Sequence, residues 1–287
     1  MLLILPALIL IVIVFGIPII RYFWLSLHAS SVMTGLNSIP NNGANWLRIF
    51  NDDRFWQDAF QTLRFASVSV TLEIIVALGI AVLLNQSFNN RGLVRALSLL
   101  PWALPTTIMA LGWRWIFNTP FGPIEQLTSI IGLGEINILS DPRLAWIATV
   151  LADVWKTSPF VALILLAGLQ TIPKDLYEAF KLEGGKEIDA FLFITLPLLK
   201  PYLTLSVLFR LAQAFGVFDL IQVMTGGGPA SSTESLGIYA YLNAMRFLDF
   251  GYSATIIFFS FILLVILCVL GWLIIDKSKY IFKLNES

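Results

Sequence analysis

Apolar runs separated by short polar stretches divide the chain into six segments, each near the ~20 residues that one bilayer crossing needs. They cover about Leu2–Leu27, Thr62–Leu84, Leu93–Phe117, Leu144–Leu169, Tyr202–Met224 and Tyr252–Ile275. The pattern predicts an all-α integral membrane protein with six transmembrane helices in a single domain over residues 1–287. The first run lacks a positive n-region and an A-x-A site, so it is expected to be a retained span rather than a signal peptide.

One charge-rich stretch, Asp175–Pro201, stands between the fourth and fifth runs. Asp175 is expected to cap a short helix, with Glu178 completing a capping box. Leu176, Ala179, Phe180 and Leu182 give that helix one apolar face. Gly184 and Gly185 then stop it, because glycine adopts positive φ without strain. A second helix is expected from about Lys186 to Leu196, interrupted at Pro197. A short, rigid, polar-faced hairpin of this kind suits docking to another protein.

Composition narrows the classes. The chain is 57% hydrophobic and 13% charged, with mean hydropathy +0.82, where soluble domains carry roughly 25% charged residues. A formal net charge of zero gives no case for nucleic-acid binding. The single cysteine, Cys268, excludes an internal disulfide, and the single histidine, His28, reads as an interfacial residue. No G-x-x-x-x-G-K-[ST] pattern is present, so the chain is not itself an ATPase. Lysine placement orients the spans: with the Asp175–Pro201 loop inside, every lysine except the intramembrane Lys156 falls on the cytoplasmic side, and both termini are cytoplasmic. Arg21, near the outer end of the first span, is the exception to this charge bias.

Several polar groups lie within the spans. Asp153 and Lys156 share one helical face at mid-depth, as an ion pair or as the lining of a watered path. Each charge at a helix centre costs ~2.5–3.5 kcal/mol. Arg210, Gln213 and Asp219 repeat the pattern in span five, and Glu73 stands alone in span two as a structural hydrogen-bonding group. Pro101 and Pro105 break span three and free backbone carbonyls that a neighbour or a cavity must satisfy. In the outer loop, Trp46, Ile49, Phe50, Phe55, Trp56 and Phe60 are expected to form an interfacial helix lying on the membrane edge.

Glu178-Ala179, Gly184 six residues after the glutamate, and Ile194-x-Leu196-Pro197 together resemble the EAA loop of ABC importer permeases. Phe180 stands where a second alanine is usual, and Glu183 where aspartate is common. Thr225-Gly226-Gly227-Gly228-Pro229, with Tyr239, Asp249, Gly251 and Tyr252 after it, resembles the carbohydrate-uptake branch, especially maltose permease F-like chains. The resemblance implies the type I importer fold, with residues 173–201 as the cytoplasmic coupling loop and Glu178, Ala179, Gly184, Leu196 and Pro197 facing the ATPase. It implies a substrate path at Trp102, Thr106, Asp153, Lys156, Thr157, Arg210, Ala214 and Asp219, with Trp102 or Trp155 able to stack on a sugar.

The implied assembly sits in the bacterial cytoplasmic (inner) membrane, in contact with lipid. It contains a second, non-identical permease subunit, an ABC ATPase dimer, and a periplasmic or lipid-anchored binding protein that delivers a sugar. No cofactor is expected in this chain, because the ATPase binds ATP and magnesium. A glycerol-phosphate importer permease and a secondary transporter are the alternatives; no internal repeat supports the latter. Reporter fusions test the orientation. Those at Gly184 and Ser278 are expected to report the cytoplasm and one at Asn42 the outside, and an outside signal at Gly184 would remove the basis for coupling.

Overall fold

A chain with long apolar runs must satisfy its backbone hydrogen bonds internally when water is absent, and helices do so within one segment. The computed structural model describes residues 5–132 and 134–284, with side chains described through Leu273. Residues 2–4 of the first predicted span, and the side chains of Lys277, Lys279 and Lys283, lie outside that description.

Twelve α-helices and one small hairpin follow in order among the described residues. Helix α1 (Leu5–Ser26) leads into β1 (His28–Ala29) and β2 (Ile39–Pro40), paired antiparallel. Then come α2 (Ala44–Phe50), α3 (Asp53–Asn85), α4 (Arg91–Ala103), α5 (Thr106–Ile116) and α6 (Pro123–Ile130). The second half holds α7 (Pro142–Gln170), α8 (Lys174–Leu182), α9 (Glu187–Phe215), α10 (Asp219–Met224), α11 (Leu236–Met245) and α12 (Phe250–Leu284).

Helices α3 and α7 form the central pair and make the most extensive contact in the molecule. Small residues line both: Ala66, Ala77 and Ala81 on α3, and Ala145, Ala148, Ala152 and Ala162 on α7, are all 2% exposed or less. Small side chains let helix backbones approach within a membrane, where close packing replaces the hydrophobic drive. Helix α9 completes a trio. A Cβ added at Gly168 of α7 would lie 2.6 Å from the Tyr202 ring and 2.7 Å from Leu199, so glycine sets that approach.

Two apolar clusters fill the trio at its ends. One joins Phe65, Met109, Trp146, Leu220 and Ile221, and the other joins Ala77, Ala81, Val161, Leu165 and Leu199. Between their positions along α3, α7 and α9 lie the buried polar residues Ser69, Glu73, Asp153, Thr157, Ser206 and Arg210. That polar layer positions the site.

The broken spans differ from the sequence expectation. The third is bent more sharply than a kink: α4 and α5 meet at Leu104-Pro105 with an angle of 86°. Pro105 has no N–H and leaves Leu104 extended, at φ −69° and ψ 136°. The fifth predicted span, Tyr202–Met224, divides after Phe215, where Gly216 ends α9 before α10 begins. Pro197 does not interrupt its helix. A π-turn over Phe191–Thr195 precedes it, and the wider turn accommodates a ring that cannot donate to the residue four back.

The aromatic outer loop is also placed differently. Ile49 and Phe55 are fully buried in a cluster with Leu236, Tyr239, Tyr252 and Ile256. The rings of Trp46, Phe50 and Trp56 pack on Phe259 of α12 at 6.0, 6.0 and 6.1 Å. Of the six aromatic and aliphatic residues expected at the membrane edge, Phe60, Phe50 and Trp56 remain exposed, at 65%, 60% and 42%. The segment docks on α12 because its apolar residues are spread over two sides, and one side already meets protein.

Candidate functional site

Arg210 reaches the polar layer from α9 with a guanidinium that offers five donors in a fixed fork. Its Nε donates to Glu73 of α3, its Nη2 donates to Asp153 Oδ2 of α7 at 2.9 Å, and its Nη1 donates to Gln213 Oε1 at 2.8 Å. Ser69 donates to the same Asp153 oxygen. Arg210 is 2% exposed, Glu73 0% and Asp153 7%, so the three charges are removed from both water and lipid. Glu73 is therefore an ion-pair member rather than a solitary hydrogen-bonding group. Asp153 does not pair with Lys156, although the two share a helical face: its carboxylate points to α9, while Lys156 reaches α4.

Lys156 Nζ donates to the Leu104 carbonyl at 2.6 Å and to the Trp102 carbonyl at 3.3 Å. These are the backbone oxygens released by the break before Pro105. The Trp102 ring stacks on Phe160, with centroids 4.8 Å apart and planes 12° apart.

A chamber of about 390 Å³ opens beside this layer. Trp102, Thr106, Asp153, Lys156, Thr157, Arg210 and Asp219 line it, together with Gln213, Gly216 and Phe218. Its volume falls in the ~300–1,000 Å³ range of small-molecule sites. Of the expected path residues, Ala214 is not in it. Ala214 is buried with Ala66 and Val70 on the side of α9 that packs against α3. Trp155 is also turned away and packs edge-on against Trp113 at 5.7 Å. Sequence reasoning missed the roles of Glu73 and Ser69. Their spacing of four residues on α3 places both on the face that carries Ala66 and Ala77, which is a usable signal.

The coupling hairpin is built by its glycines. Helix α8 begins after Pro173, not at an Asp175 cap; Asp175 lies in the first turn, where its charge complements the helix N-terminus. The helix ends with Gly185 N–H donating to Phe180 O at 3.0 Å and Gly184 N–H donating to Lys181 O at 3.1 Å. Gly184 has φ +86°. This is a Schellman ending, which needs a left-handed residue at that position. Glu178, Ala179 and Pro197 are exposed and Leu196 is half-buried. Leu182 and Ile188 are 89% and 73% exposed, leaving apolar surface at the tip.

At the opposite end, Tyr239 donates to Asp52 Oδ2 at 2.6 Å, and Tyr252 donates to the same oxygen. Burial raises the Asp52 carboxyl, but these bonds and the N–H of Phe55 outweigh it and hold the group below its ordinary value. Burial and the bond to Asp52 push the Tyr239 phenol up to about 12. Arg48 pairs with Asp249 at 2.9 Å and lies 3.7 Å over the Tyr252 ring. Gly226 and Gly227, at φ 61° and 90°, turn the chain between α10 and this network.

Comparison with known proteins agrees with this architecture. Residues 73–276 match the family described as binding-protein-dependent transport system inner membrane component. The chain is 42% identical over 263 residues to the trehalose/maltose transport system permease protein MalF of Thermococcus litoralis, covering 91% of this chain and 88% of that one. It is 36% identical over 255 residues to the sulfoquinovosyl glycerol transport system permease protein SmoG of Agrobacterium fabrum, covering 89% and 83%. A chain in the crystal structure of a bacterial ABC transporter involved in the import of the acidic polysaccharide alginate superposes with a TM-score of 0.82 at 18% identity, covering 96% and 94%.

The polar layer predicts a contrast between two variants. Arg210→Gln strands Glu73 and Asp153 together and is expected to cost ~3–5 kcal/mol, seen as lost assembly. Asp153→Asn keeps a hydrogen-bonding group opposite Arg210 and is expected to assemble with altered substrate affinity. Purified yield and uptake measured side by side check this; equal loss of assembly in both would contradict it.

Proposed function

The chain belongs to the binding-protein-dependent transport system inner membrane components, and on that premise we propose that its chamber passes an uncharged glycoside. It is a permease subunit of an ABC importer, an integral inner-membrane protein and not an enzyme; ATP is hydrolysed by a separate subunit.

The observation that carries the substrate reading is the charge bonding of the chamber wall. Arg210 is held by two carboxylates and Gln213, and Lys156 by two carbonyls. The Arg210 charge is compensated by its carboxylates, whereas Lys156 rests on carbonyl dipoles with the Asp153 and Asp219 carboxylates in the same wall. Among the residues that line the chamber, two cations, Lys156 and Arg210, balance two carboxylates, Asp153 and Asp219, and Glu73 lies behind Arg210 outside the lining, so the wall carries no net charge. A sulfonate, uronate or glycerol phosphate would find no net positive charge there to offset the loss of its hydration. Hydroxyl groups, by contrast, can accept from Lys156 and donate to Asp153, Asp219 and Gln213, and the exposed part of Trp102 can pack on a sugar face. The relative named for trehalose and maltose fits this balance better than the one named for sulfoquinovosyl glycerol.

Partner contacts are proposed on the same basis. Glu178, Ala179, Gly184, Leu196 and Pro197 form the surface that meets an ATPase dimer, with the exposed Leu182 and Ile188 as apolar anchors. ATP-driven closure of that dimer would draw this hairpin toward the one on a second, non-identical permease and rock the spans between inward-open and outward-open states. Both termini face the cytoplasm, and a binding protein delivers sugar at the opposite face.

Uptake by the reconstituted complex tests both parts. An uncharged disaccharide is expected to be taken up at least about tenfold better than a sulfonated or uronic analogue, a difference of ~1.4 kcal/mol. Preference for the anion would overturn the substrate reading. In Gly184→Val a β-branched residue is forced to positive φ, at ~1–3 kcal/mol. ATP hydrolysis is then expected without uptake, and normal uptake would remove the coupling role.

A further inference from the structure

Lys156 is charged, yet it meets no carboxylate within ion-pair distance among the described residues. Its two partners are carbonyls of the segment that breaks the third span, and the break is what makes them available. Helix α4 ends at Ala103, Leu104 is extended and Pro105 cannot donate. The free carbonyls at a helix C-terminus carry partial negative charge, which explains how a cation is tolerated at this depth.

One turn further along α7, Phe160 stacks on the Trp102 ring. Positions 156 and 160 share a helical face, so α7 grips one residue at its backbone and at its ring. Beyond the break the chain is fastened elsewhere. Arg114 of α5 donates to the Val223 carbonyl of α10 at 3.2 Å, and Met109 and Ala110 pack with Leu220, Ile221 and Met224. The two limbs of the bent span are thus fastened differently, α4 to α7 through Lys156 and Phe160, and α5 to α10 with a further ring contact from Trp113 to Trp155 of α7. Trp102 and Lys156 both line the chamber at the junction.

We propose that Lys156 is a positioning residue: it pins the Trp102–Leu104 break to α7, fixes the ring that forms one chamber wall, and transmits sugar occupancy to the bend. An ammonium has three donors, and two are used on the carbonyls. The third is left for a sugar hydroxyl, so a bound sugar and the break share one cation. The link to sugar rests on the function proposed above; the pin itself does not.

Two arms separate those claims. In the first, Leu104→Cys is placed on a Cys268→Ser background, and its alkylation by a water-soluble maleimide is followed in the purified complex without substrate. Adding Lys156→Met is expected to change the rate by roughly threefold or more, as local opening of the break is released. Lys156→Arg, which keeps two donors, is expected to stay within about twofold of the parent. Equal rates in the parent and Lys156→Met would overturn the pin.

In the second arm, uptake of an uncharged disaccharide is measured for Lys156→Met, Trp102→Ala and the double variant. Lys156→Met is expected to raise KM about tenfold, and the double variant to raise it by clearly less than the product of the two single effects, because part of the lysine's effect runs through the tryptophan. Additive KM changes would make Lys156 an independent ligand and overturn the positioning role. If the parent does not import the disaccharide, the substrate reading fails while the alkylation arm still decides the pin. Should Lys156→Met not assemble, Lys156→Gln, which removes the charge and shortens the reach while keeping an amide NH2, is read in both arms by the same criteria.

Discussion

Arg210 sits where α3, α7 and α9 meet, and its guanidinium is shared between a carboxylate from each of the other two helices. Moving even one such group from water to a low-dielectric interior costs several kcal/mol. The trio therefore holds together in a specific register, since sliding any helix by a turn would leave a buried charge without its partner. The apolar clusters at either end supply area but little register, because lipid tails are as apolar as leucine. Alanines and Gly168 bring the backbones close, and the charges decide where they stop.

The chamber is a consequence of the same layer. Side chains that hold the helices together also face the space between α7, α9 and the broken third span, so structural and substrate-facing roles share residues. Arg210 bonds to Glu73, Asp153 and Gln213, Asp153 also accepts from Ser69, and Lys156 places two donors on backbone oxygens. What remains toward the chamber is hydrogen-bonding capacity with no net charge, which suits hydroxyls. The helices end or bend at Leu104-Pro105, Gly216 and the Gly184 turn. Each lies at the boundary of the trio rather than within it.

The spans were legible because bilayer thickness imposes a length on every apolar run, and the coupling hairpin because Gly184 must take a left-handed conformation after α8. Seven of the eight expected path residues line one chamber; Ala214 does not, since a small apolar residue gives no indication of which helix face it occupies. The pairing of Glu73 with Arg210 joins positions far apart in the chain, and helical spacing cannot report contacts between helices. Local spacing instead suggested Asp153 with Lys156, which the direction of the two side chains overrides. The prolines announced a break in span three but not its 86° angle, because a proline fixes where the helix ends and not the direction in which the next one leaves. Ile49 and Phe55 looked like membrane-edge residues because protein and lipid select the same apolar chemistry.

The claim on which the rest depends is that Glu73 and Arg210 are energetically one unit. A double-variant cycle measures it directly, using the thermal unfolding midpoint of the purified complex for Glu73→Met, Arg210→Met and the pair. Removing the arginine alone leaves two carboxylates buried, whereas the double variant also removes one of those charges and fills its site with an apolar side chain. The double variant is therefore predicted to unfold at a higher temperature than Arg210→Met. A midpoint at or below the sum of the two single losses would contradict the account.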